Sequence, residues 1–135
     1  MEYQLDTSLA HETWAALDAF TQGYIEAAMW TLVDEDGNSL DYLGLHDIAD
    51  ETLQTAIREC AEFQQTYRAD LDEATDEQGR DDTHHGHDFW LTRNRHGAGF
   101  WDRGYSPELS RKLTDAAHAA GSVDWYVGDD GYLYQ

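Results

Sequence analysis

The stretch DETLQTAIRECAEFQQTYRADLDE, residues 50–73, carries the clearest structural signal in this chain. Its apolar or packable residues recur at spacings of three and four, so they share one side of a helix. The pattern predicts an amphipathic helix from about Asp50 to Glu73. The residues of its buried face are Leu53, Ala56, Ile57, Cys60, Gln64, Tyr67 and Leu71.

The opposite side of this predicted helix carries a row of carboxylates, which we call the carboxylate stripe. At ~100° and ~1.5 Å per residue, the row occupies an arc of about 100° and a length of roughly 33 Å. One turn of B-DNA is about as long, at ~34 Å. Exposed helices usually mix Glu with Lys, whereas this one offers only Arg58 and Arg68. The stripe consists of Glu51, Glu59, Glu62, Asp70 and Glu73.

The whole chain, like the predicted helix, has a large excess of negative charge. Twenty-eight acidic residues face eight basic ones, giving a formal charge of −20 on 135 residues, and no Lys or Arg precedes Arg58. Such a surface is repelled by phosphate and by acidic lipids, which argues against direct binding of DNA, RNA or membranes. We expect flanking acidic loops to extend the stripe, with Asp34, Glu35, Asp36 and Asp41 on one side and Asp76, Glu77, Asp81 and Asp82 on the other.

The acidity has a second interpretation that the sequence leaves open. Asp outnumbers Glu by 18 to 10, and Lys112 is the only lysine. Proteins from saline environments have such compositions, and a GC-rich genome favours Arg over Lys. In that case the charge only keeps the protein soluble.

The first half of the chain is otherwise predicted to be helix and loop. Residues 8–33 have a helical apolar pattern, with a possible break near Gly23. Residues 72–88 are polar throughout and have no apolar period, which predicts an exposed loop.

The second half is predicted to contain the sheet. Residues 88–92 have strand composition, and Phe100–Trp101 would return after a glycine-containing turn. Ser106-Pro107 predicts a helix start and Gly121 its end. Residues 123–134 are predicted to form a strand, a tight turn and a strand. We therefore expect one α+β domain over residues 1–135, with N-terminal helices packed on a three- or four-stranded antiparallel sheet and one inserted helix.

Candidate catalytic and metal-binding groups are weak. The four histidines His84, His85, His87 and His96 lie near Asp88 and Asp102, but they lack a helical H-x-x-x-H spacing and a Cys partner. No serine lies in a G-x-S-x-G elbow, and Cys60 is on the apolar face, where a thiol is inert. We expect a non-enzymatic protein without metal or cofactor. Arg93, Arg95 and Arg103 are expected to neutralise carboxylates such as Asp88 and Asp102.

Two segments carry a resemblance to known proteins. HDFWLTRNRHGAGFWDRG at 87–104 and YVGDDGYLY at 126–134 resemble a widespread group of small acidic proteins encoded by phages, plasmids and other mobile elements. The likeness extends to IADETLQTAIRECAEFQ at 48–64. It implies a mobile-element origin but no defined chemistry. Small acidic proteins of such elements include anti-CRISPR and anti-restriction proteins, several of which act as DNA mimics.

These observations predict an inhibitor that imitates the charge of DNA. Its partner would be a nucleic-acid-binding protein of a host defence system, such as a CRISPR surveillance complex or a restriction enzyme. The single Cys, the absence of a signal-peptide pattern and the absence of a long apolar run favour the cytoplasm. The alternative is an accessory or adaptor protein of a mobile element that contacts its partner through an aromatic hairpin. Whether the chain is a monomer or a dimer stays open.

Overall fold

The computed structural model describes residues 13–34, 36–40 and 43–135, and this part of the chain is mainly helical. Four α-helices lie wholly within it: α1 (Ala19–Thr31), α2 (Asp50–Gln78), α3 (Asp82–Arg93) and α4 (Pro107–Ala119). Two 3₁₀ turns lie at Leu45–Asp47 and Phe100–Asp102, and residues 13–16 are helical. Two short strands follow α4: β1 (Tyr126–Val127) and β2 (Leu133–Tyr134).

Helix α2 confirms the predicted amphipathic helix and continues beyond Glu73 to Gln78. Its backbone departs from helical geometry at Tyr67, where φ is −112° and ψ is 23°. The helix ends at Gly79, whose φ of 70° is the left-handed conformation that glycine adopts most easily. Burial of Leu53, Cys60 and other residues of the apolar face follows the predicted period.

The predicted loop at 72–88 is wrong. Its first part belongs to α2, and α3 begins at Asp82 after a short connection. The Asp81 carboxylate accepts a hydrogen bond from the backbone N–H of His84 at 3.2 Å, which caps the first turn of α3. No apolar period marks this helix because polar and small side chains occupy much of its buried face, including His85, Gly86 and Asp88.

The predicted α+β architecture with three or four strands is also wrong. Residues 88–92 lie in α3, and Phe100–Trp101 lie in a 3₁₀ turn. The strand propensity of these aromatic residues does not determine their structure, because β-propensity mostly measures how well a side chain fits a half-buried surface. Here the tertiary packing places them in a helix and a 3₁₀ turn. The closing hairpin is confirmed in a shorter form: β1 and β2 pair antiparallel, with Tyr126 opposite Tyr134 and Val127 opposite Leu133.

The predicted helix at 8–33 is confirmed only in part. Residues 8–12 lie outside the described part of the chain, and the helical path is interrupted at Leu17 and Asp18. The Asp18 carboxylate then caps α1 by accepting a hydrogen bond from the Thr21 N–H at 2.8 Å. The break expected near Gly23 is wrong, because α1 passes through that residue without interruption.

Gly23 and Gly86 instead allow α1 and α3 to cross with their backbones in contact. A Cβ atom on Gly86 would lie 2.0 Å from the Phe20 carbonyl oxygen, and one on Gly23 would lie 2.0 Å from that of Thr83. No side chain fits at either position without moving the backbone. The two glycines therefore set the distance between the helices, and their role is close approach rather than helix breaking.

We expect the substitution Gly86→Ala to destabilise the protein by at least about 2 kcal/mol, because the new methyl group must push α1 away from α3. The measurement is the free energy of unfolding from urea denaturation. Gly97→Ala is the matched control, since nothing lies within 4 Å of its Cβ position. The control should change stability by less than about 0.5 kcal/mol. Equal stabilities of the two variants would contradict the close crossing.

Aromatic rings fill the core beside this crossing. Phe63 of α2 stacks on Phe89 of α3 with ring centroids 4.2 Å apart, and Phe20 and Phe100 pack around them. Buried residues from Phe20 to Leu133 belong to one continuous hydrophobic cluster. Every described helix therefore contributes to the same core.

A buried arginine connects the four helices. The Arg93 side chain is about 1% exposed. Its Nε and Nη2 donate to the carbonyl oxygens of Gly121 and Ala120, at 2.7 and 2.9 Å, at the C-terminal end of α4. Its Nη1 donates to the Tyr24 hydroxyl at 2.9 Å and to the Glu59 carboxylate at 2.7 Å. The guanidinium thus satisfies helix-end carbonyls and neutralises a carboxylate at one point.

Replacing this arginine by an apolar residue of similar length, Arg93→Met, should destabilise the protein by about 3–5 kcal/mol, because the partly buried Glu59 carboxylate loses its countercharge. Chemical denaturation measures the loss. Arg95→Met removes the same charge from an exposed position and serves as the control. If the two variants unfold at the same denaturant concentration, Arg93 does not hold the helices together.

Candidate functional site

Most cations of this acidic chain are paired with carboxylates, three of them largely inside the fold and two at its surface. Five of its eight basic side chains form ion pairs with five carboxylates, so that 18 of the 23 carboxylates in the described part of the chain lie outside these pairs. The three remaining cations, Arg58, Arg95 and Arg111, are exposed. The pairs are Arg68 with Asp72 and Asp82, Arg80 and Arg103 with Asp88, Arg93 with Glu59, and Lys112 with Asp70.

The most buried of these carboxylates is Asp88, which has no exposed side-chain surface. Arg103 holds it through two donors, Nη2 at 2.7 Å and Nε at 3.0 Å from Oδ1, and Arg80 lies 3.5 Å from Oδ2. The predicted neutralising role is confirmed for Arg103. It is confirmed for Arg93 with a different partner, Glu59, whereas Arg95 is exposed.

The structure divides the predicted carboxylate stripe into two groups. Glu51, Glu62 and Glu73 are exposed on α2, as the helical period predicts. The other two members are taken up by ion pairs: Glu59 lies 2.7 Å from Arg93, and Asp70 lies 3.2 Å from the only lysine. The arc of about 100° assumed for the stripe was too wide, because residues at its edge reach neighbouring helices.

A cation also interrupts the stripe. Arg58 is exposed on α2, between Glu51 and Glu62 along the helix. On an ideal helix it falls about 20° from Glu51, so it lies in the same row. The first half of α2 therefore does not form a continuous anionic row.

The carboxylates of the predicted flanking loops also fall into two groups: some accept hydrogen bonds or form ion pairs, and others are exposed. The exposed Asp34 carboxylate accepts hydrogen bonds from the N–H groups of Asp36 and Asn38, each at 2.9 Å. Asp82 pairs with Arg68, and Glu77 accepts hydrogen bonds from the N–H and Oγ of Ser106 at 2.8 and 3.1 Å. Asp36, Asp76 and Asp81 are exposed. Glu35 and Asp41 lie outside the described residues.

The exposed carboxylates are densest where α2 ends and α3 begins. We call this surface the acidic patch; it consists of Asp72, Glu73, Asp76, Glu77 and Asp81. On α2, the members of the patch that form no ion pair with Lys or Arg are Glu73, Asp76 and Glu77, which place three carboxylates over a rise of roughly 6 Å, or one per ~2 Å. Duplex DNA carries one charge per ~1.7 Å of its axis. These three charges thus approach the linear charge density of DNA, whereas Asp72, which lies outside the predicted stripe, is paired with Arg68.

The position of this patch is electrostatically unfavourable for α2. The C-terminal end of a helix is the negative end of its dipole, and basic residues are favoured there. The last turn of α2 contains no basic residue, while Asp76 and Glu77 lie close to its end. These carboxylates repel both one another and the helix-end carbonyls. A feature that works against local stability is more common at functional sites than elsewhere.

An open recess borders the patch between α2 and α4. Its volume is about 670 Å³, and its wall includes the carboxylates of Asp70, Glu73 and Glu108 together with the ammonium group of Lys112. Three anionic groups against one cationic group make the recess attractive to a positively charged side chain.

The histidines predicted as weak candidate ligands are spread over α3 and the following turn. His84 bonds to Asp81, His87 Nε2 lies 2.9 Å from the Glu26 carboxylate, and His85 Nε2 lies 2.9 Å from Thr75 Oγ1. Within the described residues, no group of three or more His, Cys, Asp or Glu side chains is arranged to hold a metal ion.

His85 is the buried member of this group. Its side chain has no exposed surface, and its Nδ1 has no hydrogen-bond partner among the described residues. Burial lowers the pKa of His85 below its ordinary value despite the nearby carboxylates of Asp82 and Asp88. The folded protein therefore holds a neutral imidazole, whereas the unfolded chain binds a proton below about pH 6.5.

This difference predicts that His85 lowers stability as the pH falls below about 6.5, with a slope of at most about 1.4 kcal/mol per pH unit. Unfolding free energies at pH 7.5 and pH 5.5, compared between the native protein and His85→Gln, isolate this contribution from the titration of the carboxylates. The variant should lose less stability on acidification. His96→Gln, at an exposed position, should behave like the native protein. Identical pH profiles for all three would show that His85 is not buried in its neutral form.

Comparison of the chain with protein-family models, with curated proteins and with solved structures gave no significant match. Among the described residues, no helix combines the length and the apolar character that crossing a lipid bilayer requires. Inferences about function therefore rest on the surface features described above.

Proposed function

We propose that this protein is a non-enzymatic inhibitor that places its acidic patch in the nucleic-acid-binding groove of another protein. The observation that carries the proposal is the acidic patch itself, whose charges follow α2 at a spacing close to that of DNA. The pairing of Arg80, Arg93 and Arg103 inside the fold supports it further, because it withdraws three positive charges from the surface.

The mechanism is competition for a basic surface. Proteins that bind nucleic acids line their grooves with Lys and Arg, which gain affinity by displacing counterions from phosphates. Carboxylates fixed on a helix reach the same side chains and require little reordering on binding. Long-range attraction between the −20 chain and a basic groove also accelerates their encounter. The bordering recess offers a place for one Arg or Lys of the partner.

The resemblance to proteins of mobile elements favours a defence machine of the host cell as the target. A CRISPR surveillance complex or a restriction enzyme fits this class, since each must bind DNA to act. Such a target places the encounter in the cytoplasm. The proposal predicts inhibition by occupancy, without chemical change to the target.

The decisive variant is the double reversal Glu73→Lys with Asp76→Lys, which removes two exposed charges from the centre of the acidic patch. It should reduce inhibition of DNA cleavage at least about tenfold, measured with a panel of purified CRISPR complexes and restriction enzymes. It should also raise the free energy of unfolding by about 0.5–1 kcal/mol, because Lys is favourable near the end of α2.

The matched control is Asp115→Lys with Asp129→Lys, which changes the net charge equally at two exposed positions away from the patch. It should keep most of the inhibition. Equal loss in the two double variants would mean that only net charge matters, and full inhibition by the patch variant would refute charge imitation. Binding should also weaken steeply between low and moderate salt.

The second candidate function is that of an accessory or adaptor protein whose acidity only keeps it soluble. It is favoured by the exposure of large apolar side chains around the closing hairpin, including Tyr126 at 53% and Val127 at 40%. An apolar interface of this kind predicts partner binding that changes little with salt, in contrast to the steep dependence expected for charge imitation.

A further inference from the structure

A groove separates β1 from the turn that follows α1. One side is formed by Val33, Asp34 and Leu40, the other by residues 124–127, and its volume is about 500 Å³. We call it the β1 groove. It does not include any residue of the acidic patch, so it is a separate surface.

The β1 groove exposes apolar side chains. Val33 is 57% exposed, Tyr126 53% and Val127 40%, whereas Leu40 and Trp125 form its buried floor. Neighbouring apolar side chains in a concave surface are typical of a place where another molecule binds.

Strand β1 lines this groove and also has a backbone edge that pairs with no described residue. The Gly128 N–H donates to the Tyr132 carbonyl at 2.8 Å, so Gly128 and Tyr132 form a hydrogen-bonded pair. In an antiparallel hairpin, hydrogen-bonded and non-hydrogen-bonded pairs of opposite residues alternate. The pair of Val127 and Leu133 is then a non-hydrogen-bonded one. The N–H and C=O of Val127 point away from β2, and neither has a partner among the described residues. Such an edge is a template for an additional strand.

The negative charges of the β1 groove favour a positively charged peptide segment as the added strand. Asp34 and Asp124 stand on its two sides, and both are exposed. Hydrogen bonds from the Asn38 backbone and neighbouring groups lower the pKa of Asp34, so this carboxylate stays ionised. A second copy of the chain would bring another −20 charge and be repelled. A segment carrying Lys or Arg is attracted instead.

We propose that the β1 groove binds an extended, basic segment of a partner protein, which adds to the free edge of β1 as a new strand. The segment exchanges hydrogen bonds with the Val127 backbone and packs apolar side chains on Val33 and Leu40. Its Lys or Arg side chains reach Asp34 and Asp124. This mode combines backbone bonds for affinity with alternate side chains for specificity. It does not depend on charge imitation by α2.

The test uses a synthetic eight-residue peptide in which lysine alternates with valine, titrated into the ¹⁵N-labelled protein. The Val127 amide should shift on binding and exchange with solvent at least about tenfold more slowly, because it gains a hydrogen-bond acceptor. The same peptide with N-methylated central residues keeps its charge but cannot add as a strand. It should bind at least about tenfold more weakly.

Substitutions in the protein locate the site. Asp124→Asn should weaken binding of the unmodified peptide about two- to fivefold, whereas Asp115→Asn, which removes the same charge from α4, should not. The proposal is overturned if the peptide fails to bind, if N-methylation has no effect, or if the shifts cluster on the acidic patch instead of β1. None of these outcomes bears on inhibition by the acidic patch, which the reversals at Glu73 and Asp76 test separately.

Discussion

The guanidinium of Arg93 is the interaction on which the arrangement of the helices depends. It is nearly fully buried, yet every polar contact that it makes is with a group that needs a donor: two carbonyls at the end of α4, the Tyr24 hydroxyl and the Glu59 carboxylate. A charge in such a place is tolerated only when it is paired and hydrogen-bonded. The Phe89 ring lies against it, with the guanidinium carbon 5.2 Å from the ring centroid. The hydrogen-bond network of Arg93 and the aromatic core are therefore in contact at α3.

This use of cations has a consequence for the surface. The chain has only eight basic residues, and the fold draws Arg93, Arg103 and three others into pairs with carboxylates. Cations that are buried in such pairs no longer reduce the repulsion among the carboxylates at the surface, so this repulsion is stronger than the composition alone suggests. Arg80, Arg93 and Arg103 are the buried or half-buried members of these pairs, whereas the pairs of Arg68 and Lys112 lie at the surface. The pairs inside the fold therefore withdraw three cations from the surface, and the negative charge near the end of α2 comes from Glu73, Asp76 and Glu77, which form none of these pairs.

Part of the fold could be predicted from the sequence because some helices bury a purely apolar face. Helix α4 is the clearest case: Ser106-Pro107 starts it, Leu109 and Leu113 are buried, and Gly121 follows its end with a φ of 82°. Helix α3 could not be predicted in this way. Its buried face contains His85 and Asp88, whose partners Thr75 and Arg103 come from other parts of the chain. Periodicity detects apolar burial, whereas polar burial depends on partners that only the folded chain brings together.

The same limit applies to the candidate site. Periodicity correctly placed Glu51, Glu62 and Glu73 in the solvent, since it reports which side of α2 faces outward. It could not show that Glu59 and Asp70 are used by neighbouring helices, and it gave no sign of the β1 groove. Exposed apolar residues in a turn and a two-residue strand look like ordinary core residues in a sequence. What distinguishes Val127 is a backbone edge that points away from β2 and is paired with no residue in the described part of the chain, a property that exists only once β2 has formed on its other side.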